Sequence, residues 1–324
     1  MGKKRRVTVG ELVEGLGVDD VYLVKDASLR ETRGGKNYIA AQLADATGTI
    51  VTRMWDAQPA HAASFKAGRF VRVRGHVESY QGEPQLVVSA FQPVEADEVD
   101  VTAFMRSTPR DLGELRAQLA ELVESVKDQA LRALLDAFFG DEEFAAAYSR
   151  SPAATEYHHA YVGGLLEHSV SMARSAATLA AERGAELDRD LLVAGALLHD
   201  LGKVCEMTAG PAFDYTDAGR LVGHIVLGCI EADRRMAAIA DFPAQTRLHV
   251  LHLLASHHGQ KEFGAPVLPA TPEALALHHL DNLDAKVRAA ADAEPKPGEE
   301  AWSDYQRMLG ARVYKRRRTA GAEG

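Results

Sequence analysis

The stretch Leu191–Lys203, LLVAGALLHDLGK, is apolar for eight residues and then ends in His199-Asp200. A helix that is apolar all round belongs inside a helical body rather than on its surface. The imidazole and carboxylate at its end are then buried, and burying such groups unpaired costs about 2–7 kcal/mol each, so both need partners. Backbone hydrogen bonds at a helix C-terminus would serve. So would a divalent cation, for which neutral imidazole and carboxylate are ordinary ligands. The surrounding sequence decides between them.

Eleven of the 13 histidines lie between His158 and His279. HHAYVGGLLEH, His158 to His168, places His168 at the start of a helix running to about Arg183. His224 falls in a helical stretch from Gly219 to Arg235, and the doublet His257-His258 ends another from Thr246, stopped by Gly259. A long helix from Pro272 to Ala291 carries Asp281 three residues after His278, on the same face. His168, His199-Asp200, His224, His257-His258 and Asp281 thus fall on five successive predicted helices. Inward-pointing nitrogen and oxygen donors on facing helices are how all-α bundles build metal sites. Seven donors exceed the need of one ion, so two divalent ions are expected, with Asp200 as the natural bridge. The absence of cysteine from the set disfavours a structural zinc site. Manganese, iron, cobalt and zinc all suit the donors.

Upstream the pattern is different. Val21–Val24, Tyr38–Leu43, Thr49–Trp55, Phe70–Val77 and a strand starting at Leu86–Val88 read as five short strands, separated by turn residues at Asp45–Gly48 and Gln81–Pro84. Gly75 inside the fourth predicts a bulge or bend. Five strands in about 75 residues suit a small closed barrel of the OB type. Val71 and Val73 face one way, and Phe70, Arg72 and Arg74 the other. With Tyr38, Arg53, Trp55 and Arg69 as neighbours, that outer face is expected to hold single-stranded nucleic acid, arginines on phosphates and aromatic rings on bases. The alternative is that the rings are barrel core and the arginines solvated.

Composition bounds the rest. The 324 residues are 46% hydrophobic and 26% charged, ordinary for a soluble globular chain. No apolar run approaches a membrane span. MGKKRRVTVGEL lacks the apolar core of a signal peptide, and two cysteines make no disulfide framework, so a cytoplasmic location is expected. Net charge is −9, yet residues 1–95 hold 13 Lys/Arg against 11 Asp/Glu. A weakly basic domain therefore precedes an acidic body. Lys3–Arg6 forms a short basic arm, either solvated or touching phosphate, and Lys315–Arg318 a basic tail.

The distributed pattern H…HD…H…HH…D resembles the HD-domain superfamily of metal-dependent phosphohydrolases. An OB-like barrel ahead of HHAYVGGLLEHS, LLHDLGK, FDYTDAGRLVGHI, SHHG and LHHLDNLDA is more narrowly similar to the YhaM-type 3′→5′ exoribonucleases. The architecture expected is multidomain: a basic arm (1–20), a five-stranded OB-like barrel (21–95), a helical connector (96–150), an all-α HD-domain bundle (151–292), and a C-terminal segment with a basic tail (293–324). The resemblance implies manganese-dependent shortening of single-stranded RNA, and of single-stranded DNA as an extension, to nucleoside 5′-monophosphates. It makes His168, His199, Asp200, His224, His257, His258 and Asp281 the metal ligands, with Asp281 preferred over Asp284, which is read as a helix-stabilising contact. A homo-oligomer is left open.

Two divalent ions would activate a water to hydroxide and neutralise charge building on phosphorus. Lys203, about one helical turn after His199, would stabilise the phosphate or protonate the leaving oxygen; its alternative is to neutralise a helix C-terminus. His158 and His159 would grip substrate phosphate or hold structure. His249, His252, His278 and His279 read as packing residues or supports behind the ligands. Two other functions remain: a phosphohydrolase of the same superfamily acting on nucleotides or cyclic dinucleotides, and a non-catalytic single-strand-binding protein.

Overall fold

Alternation of apolar residues with turn signals in the first hundred residues, and three- to four-residue apolar spacing thereafter, produce two units that divide after Ser107. The computed structural model describes residues 5–32, 34–105, 107–154, 161–208, 215–296, 299 and 301–315. No helix among them is long and apolar enough to cross a membrane.

The first unit is built from β1 (Gly17–Glu31), β2 (Asn37–Asp45), β3 (Gly48–Met54), α1 (Pro59–Ser64), β4 (Phe70–Tyr80) and β5 (Glu83–Val94). The strands close into a barrel in the order β1-β2-β3-β5-β4. β1 is long enough to serve two neighbours: Gly17–Leu23 pair with β4 and Leu23–Glu31 with β2, across a register shift between Val24 and Asp26. A short parallel pairing of β3 with β5 completes the OB arrangement, with the helix between β3 and β4. Inward residues such as Val24, Leu43, Val71, Val73 and Leu86 form the core. Gln81 and Gly82 both adopt positive φ, the conformation a two-residue hairpin requires. At Gly75 the β4–β5 register shifts, and a Cβ there would sit 2.1 Å from the Val87 carbonyl oxygen, so the bulge expected there exists because only glycine fits.

Several expectations change here. Phe70 is not an exposed platform; it is buried with Leu23 against Phe104, which arrives on a 3₁₀ turn (Val101–Phe104). Val99, Val101, Ala103 and Phe104 thus pack on the barrel, whose unit continues to Ser107. Arg6 is no free arm residue. Its guanidinium stacks 3.9 Å from the Phe104 ring centroid and pairs at 2.9 Å with the buried carboxylate of Asp45. Asp45 also accepts the Val9 and Thr47 backbone N–H groups, tying the N-terminal segment to the β2–β3 turn. Lys3 and Lys4 lie outside the described residues.

The second unit contains α2 (Leu112–Ser125), α3 (Gln129–Phe139), α4 (Glu142–Arg150), α5 (Gly164–Arg183), α6 (Arg189–Leu198), α7 (Lys203–Glu206), α8 (Asp217–Val222), α9 (His224–Ala238), α10 (Ala244–Ser256), α11 (Pro272–Asp292), β6 (Trp302–Gln306) and β7 (Ala311–Tyr314). Asp111, Asp128, Asp141, Asp188 and Thr271 cap their helices by accepting backbone N–H groups, which fixes where each begins. Helix α6 is buried from Leu191 to Leu198 and packs against α3, α5, α10 and α11, so its apolar circumference is the centre of the bundle. The single helix expected over Gly219–Arg235 is broken at Gly223, which makes His224 the first residue of α9. The C-terminal segment, expected as a loop, a short segment around Trp302–Leu309 and a basic tail, holds the two-stranded β6–β7 sheet.

Candidate metal centre and nucleic-acid interface

The buried end of α6 delivers His199 as the helix cap and Asp200 directly after it, both almost fully buried. His168 comes from the second turn of α5, His224 from the start of α9, His257 and His258 from the end of α10, and Asp281 from the middle of α11. Asp200 is their common centre. Its Oδ2 lies 3.3 Å from His199 Nε2 and 3.9 Å from His168 Nε2. Its Oδ1 faces the other way, 3.4 Å from His224 Nε2 and 3.6 Å from His257 Nε2. Two donor groups result, His168/His199/Asp200 and His224/His257/His258, the donor atoms of each within 4.8 Å of one another. Asp281 joins the first through Oδ1, 3.3 Å from His168 Nε2.

All five imidazoles are anchored by Nδ1. Those of His199, His257 and His258 meet the carbonyl oxygens of Ala196, Leu254 and Phe263 at 2.9, 2.8 and 2.6 Å. A carbonyl only accepts, so each Nδ1 carries a proton and donates it there, and each ring turns its Nε2 inward. His168 Nδ1 meets Asp284 at 2.8 Å, and His224 Nδ1 meets Glu206 at 3.0 Å. Carboxylate or carbonyl support behind the ligating nitrogen is the usual companion of a metal-bound histidine. Asp284 therefore orients His168, with Ser171 donating to its other oxygen, rather than merely stabilising its helix. Glu206 and Ser171 escaped the sequence reading, because nothing in their spacing distinguishes them from ordinary helix polar residues.

Asp200 Oδ1, His224 Nε2 and His257 Nε2 are buried with no hydrogen-bond partner among the described residues. Such orphans cost about 1–3 kcal/mol each, and three converging on one point match the needs of a divalent cation. His168 and His199 oppose Nε2 atoms at 3.1 Å, a repulsive approach of lone pairs unless a proton or an ion lies between. The residues present thus fit two ions sharing Asp200.

The electrostatics are strongly polarised. Burial raises the Asp200 pKa, but the Lys203 ammonium, 2.6 Å away, together with His199 and His257, outweighs it and holds the carboxyl well below its usual range. Lys203 responds in kind: burial lowers it, but Asp200, with Asp281 and Glu206, raises it more, and it stays charged. For His168 burial is likewise outweighed, here by Asp281 and Asp284, and its pKa is raised to about 10. His257 and His258 are pushed below the ordinary imidazole value, chiefly by burial. Close packing enforces the arrangement. A Cβ on Gly202 would lie 2.0 Å from the His224 carbonyl oxygen, so the His-Asp-Leu-Gly turn touches α9 only because residue 202 has no side chain.

Of the remaining histidines, His278 is buried and its Nδ1 meets the His257 carbonyl at 2.9 Å, while His252 accepts from Ala270 N–H, His249 is half-buried and His279 is exposed. His158 and His159 lie outside the described residues.

On the barrel the expected nucleic-acid residues separate into two patches. Tyr38 on β2 and Trp55 after β3 stack with ring centroids 5.1 Å apart, Trp55 is 47% exposed, and the Arg53 guanidinium lies 6.0 Å from the Tyr38 ring centroid. Arg72 and Arg74 on β4 are also exposed, but both pair with Asp19 on β1, at 2.8 and 3.1 Å. Their charge is thereby partly spent inside the barrel. The hydrogen bond from Arg72 lowers the Asp19 pKa.

Comparison with known proteins agrees with this division. Residues 21–94 match the family model described as an OB-fold nucleic acid binding domain, and residues 165–286 that of the HD domain. The chain is similar to a 3′-5′ exoribonuclease YhaM of Bacillus velezensis, with 34% identity over 88% of this chain and 90% of the relative. It is similar at 34%, over the same shares, to the protein of that name from Bacillus subtilis. Among solved structures, a replication protein A domain from Methanococcus maripaludis aligns with 28% of this chain and 97% of its own, at 24% identity and a TM-score of 0.24. The chain belongs to the family of the YhaM 3′-5′ exoribonucleases.

Proposed function

We propose that this protein is a divalent-metal-dependent exonuclease that removes nucleotides from the 3′ end of single-stranded RNA, releasing nucleoside 5′-monophosphates, and that single-stranded DNA is accepted by the same site. The observation that carries the reading is the pair of donor groups joined by the two oxygens of Asp200. His168, His199 and Asp281 would hold one ion and His224, His257 and His258 the other, with Asp200 shared. When bound, two such ions lower the pKa of a water and neutralise the charge that builds on phosphorus; manganese is the first choice among them.

The protein's own groups do the positioning. Backbone carbonyls and two carboxylates fix the five imidazoles before any ion arrives, so little ordering remains to be done on binding. Lys203 keeps Asp200 ionised. A lysine held charged by its partner is a poor proton donor, and its role toward the substrate is to attract the phosphate rather than to protonate the leaving oxygen. Tyr38 and Trp55 stack bases, and Arg53 neutralises phosphate beside them. A strand holder covalently joined to the metal centre raises the local concentration of substrate ends. The direction of attack follows the relatives' names, and the absence of a disulfide between Cys205 and Cys229 suits a cytoplasmic enzyme.

The test is digestion of a 5′-labelled single-stranded RNA with manganese, with EDTA, and with Asp200→Ala beside the parent. A ladder shortening from the 3′ end, lost in EDTA and in the variant, is expected. No cleavage of RNA or single-stranded DNA with any of several divalent ions would overturn the proposal.

A further inference from the structure

The β6–β7 hairpin follows both matched domains, and nothing above gives it a task. Its register is unusual. Trp302 lies opposite Tyr314 and Tyr305 opposite Arg312, so two residues on β6, Ser303 and Asp304, oppose the single Val313 on β7. Without that extra residue, Trp302 and Tyr305 would point to opposite faces. The bulge instead turns both toward the face that carries Arg312 and Tyr314. One side of a two-stranded sheet thus presents Trp302, Tyr305 and Tyr314, 44%, 62% and 59% exposed, with Arg312 among them, its guanidinium paired with Glu299 and its Nε donating to the Ser303 carbonyl. The opposite side is the packed one: Ser303 is fully buried and accepts the Val313 N–H. Three exposed rings on 13 residues, in a chain that is 6% aromatic, contribute little to the core.

Charge points to the occupant. In sequence, residues 302–318 hold six lysines and arginines against one aspartate, in a chain whose net charge is −9; Arg307, Arg312 and Lys315 are among the described residues, and Arg316–Arg318 lie outside them. Aromatic faces interleaved with arginine on a locally basic segment are the chemistry that binds single-stranded nucleic acid, since every base offers a face and every linkage an anion. Position points the same way. Lys315 Nζ donates to the Ala291 carbonyl, so the hairpin is fastened to the C-terminal end of α11. Ten residues of that helix separate Ala291 from Asp281, about 15 Å along its axis. That is on the order of four stacked nucleotides at a rise of ~3.4 Å.

We propose that the β6–β7 face is a second single-strand platform, which stacks the bases a few nucleotides upstream of the bond cut at the metal centre. The proposal rests on the RNA-cleaving reading above. It predicts a length requirement: substrates too short to reach the hairpin do not sense it.

The test uses the full-length protein. In EDTA, Trp55→Phe leaves Trp302 as the sole tryptophan, and its fluorescence is titrated with a decameric and a trimeric oligoribonucleotide. The decamer should quench it and the trimer should not. With manganese, Trp302→Ala/Tyr305→Ala should raise KM for the decamer by about tenfold per ring removed and leave kcat on the trimer unchanged, while Trp302→Phe recovers most of the loss. Unquenched Trp302 with a decamer that still binds, or equal losses on both lengths, would overturn the platform. So would a variant that changes the particle's mass in solution with RNA affinity intact, since a second copy would then cover this face. A parent protein that neither binds nor cuts RNA would instead remove the functional reading on which the platform depends.

Discussion

Replacing Asp284 by alanine should weaken one of two metal ions and spare the other. Asp284 accepts from His168 Nδ1 at 2.8 Å and from Ser171 Oγ at 3.0 Å, and its side chain is 21% exposed. A hydrogen bond to a charged group is worth about 1.5–3 kcal/mol. Because this carboxylate is partly open to water, the lower half of that range applies, roughly a 10–40-fold loss of affinity. Loss of such supports behind a ligand typically costs about 10–100-fold in metal affinity, which brackets the same value. The loss falls on the ion beside His168, because His224, His257 and His258 are held by Glu206 and backbone carbonyls that the change leaves in place. Glu206→Ala should do the reverse. Calorimetric titration of manganese into the metal-free protein should give two transitions, of which Asp284→Ala moves one and Glu206→Ala the other. If each variant moves both transitions equally, or neither moves any, the division of ligands is wrong. A parallel melting curve separates loss of fold from loss of ligand orientation.

The two ions should also differ in pH dependence. His168 has its pKa raised to about 10, so between pH 7 and 9 an ion on its side must displace a proton, and its affinity should climb about tenfold per pH unit. His257 and His258 lie below the usual imidazole value and are already neutral there, so affinity on their side should stay flat; two parallel slopes would contradict this. Gly202→Ala sets a Cβ 2.0 Å from the His224 carbonyl, which should cost about 1–3 kcal/mol in thermal stability and displace His224. An unchanged melting temperature together with unchanged metal stoichiometry would refute that contact. On the barrel, Trp55→Ala should reduce single-strand affinity about tenfold in EDTA. Arg74→Ala should cost less, because Arg74 already pairs with Asp19, and the opposite order in filter binding would move the interface to β4.

What the sequence made legible depends on whether a signal was local. The barrel was readable because its alternation, its turn residues and the Gly75 bulge each act within a few positions. The donor set was readable because histidine is scarce elsewhere and His199-Asp200 ends a stretch too apolar for the surface. The failures are non-local. Phe70 alternates as an outward residue, and only the return of Phe104 over it makes it core. Arg6 looks like a free basic arm until the buried Asp45 claims it. Arg72 and Arg74 look available until Asp19 pairs with both. Glu206 and Asp284 are placed behind their histidines by tertiary packing across 18 and 116 residues, which no spacing rule encodes. The β6–β7 hairpin was missed because two strands of five and four residues with a bulge show almost no alternation.

The central claim is that the two oxygens of Asp200 join two ion sites. Anomalous diffraction at the manganese edge from manganese-soaked crystals tests it most directly. The account predicts two peaks flanking Asp200, one among His168, His199 and Asp281 and the other among His224, His257 and His258, both lost in Asp200→Ala. A single peak, or peaks that persist in the variant, would contradict it.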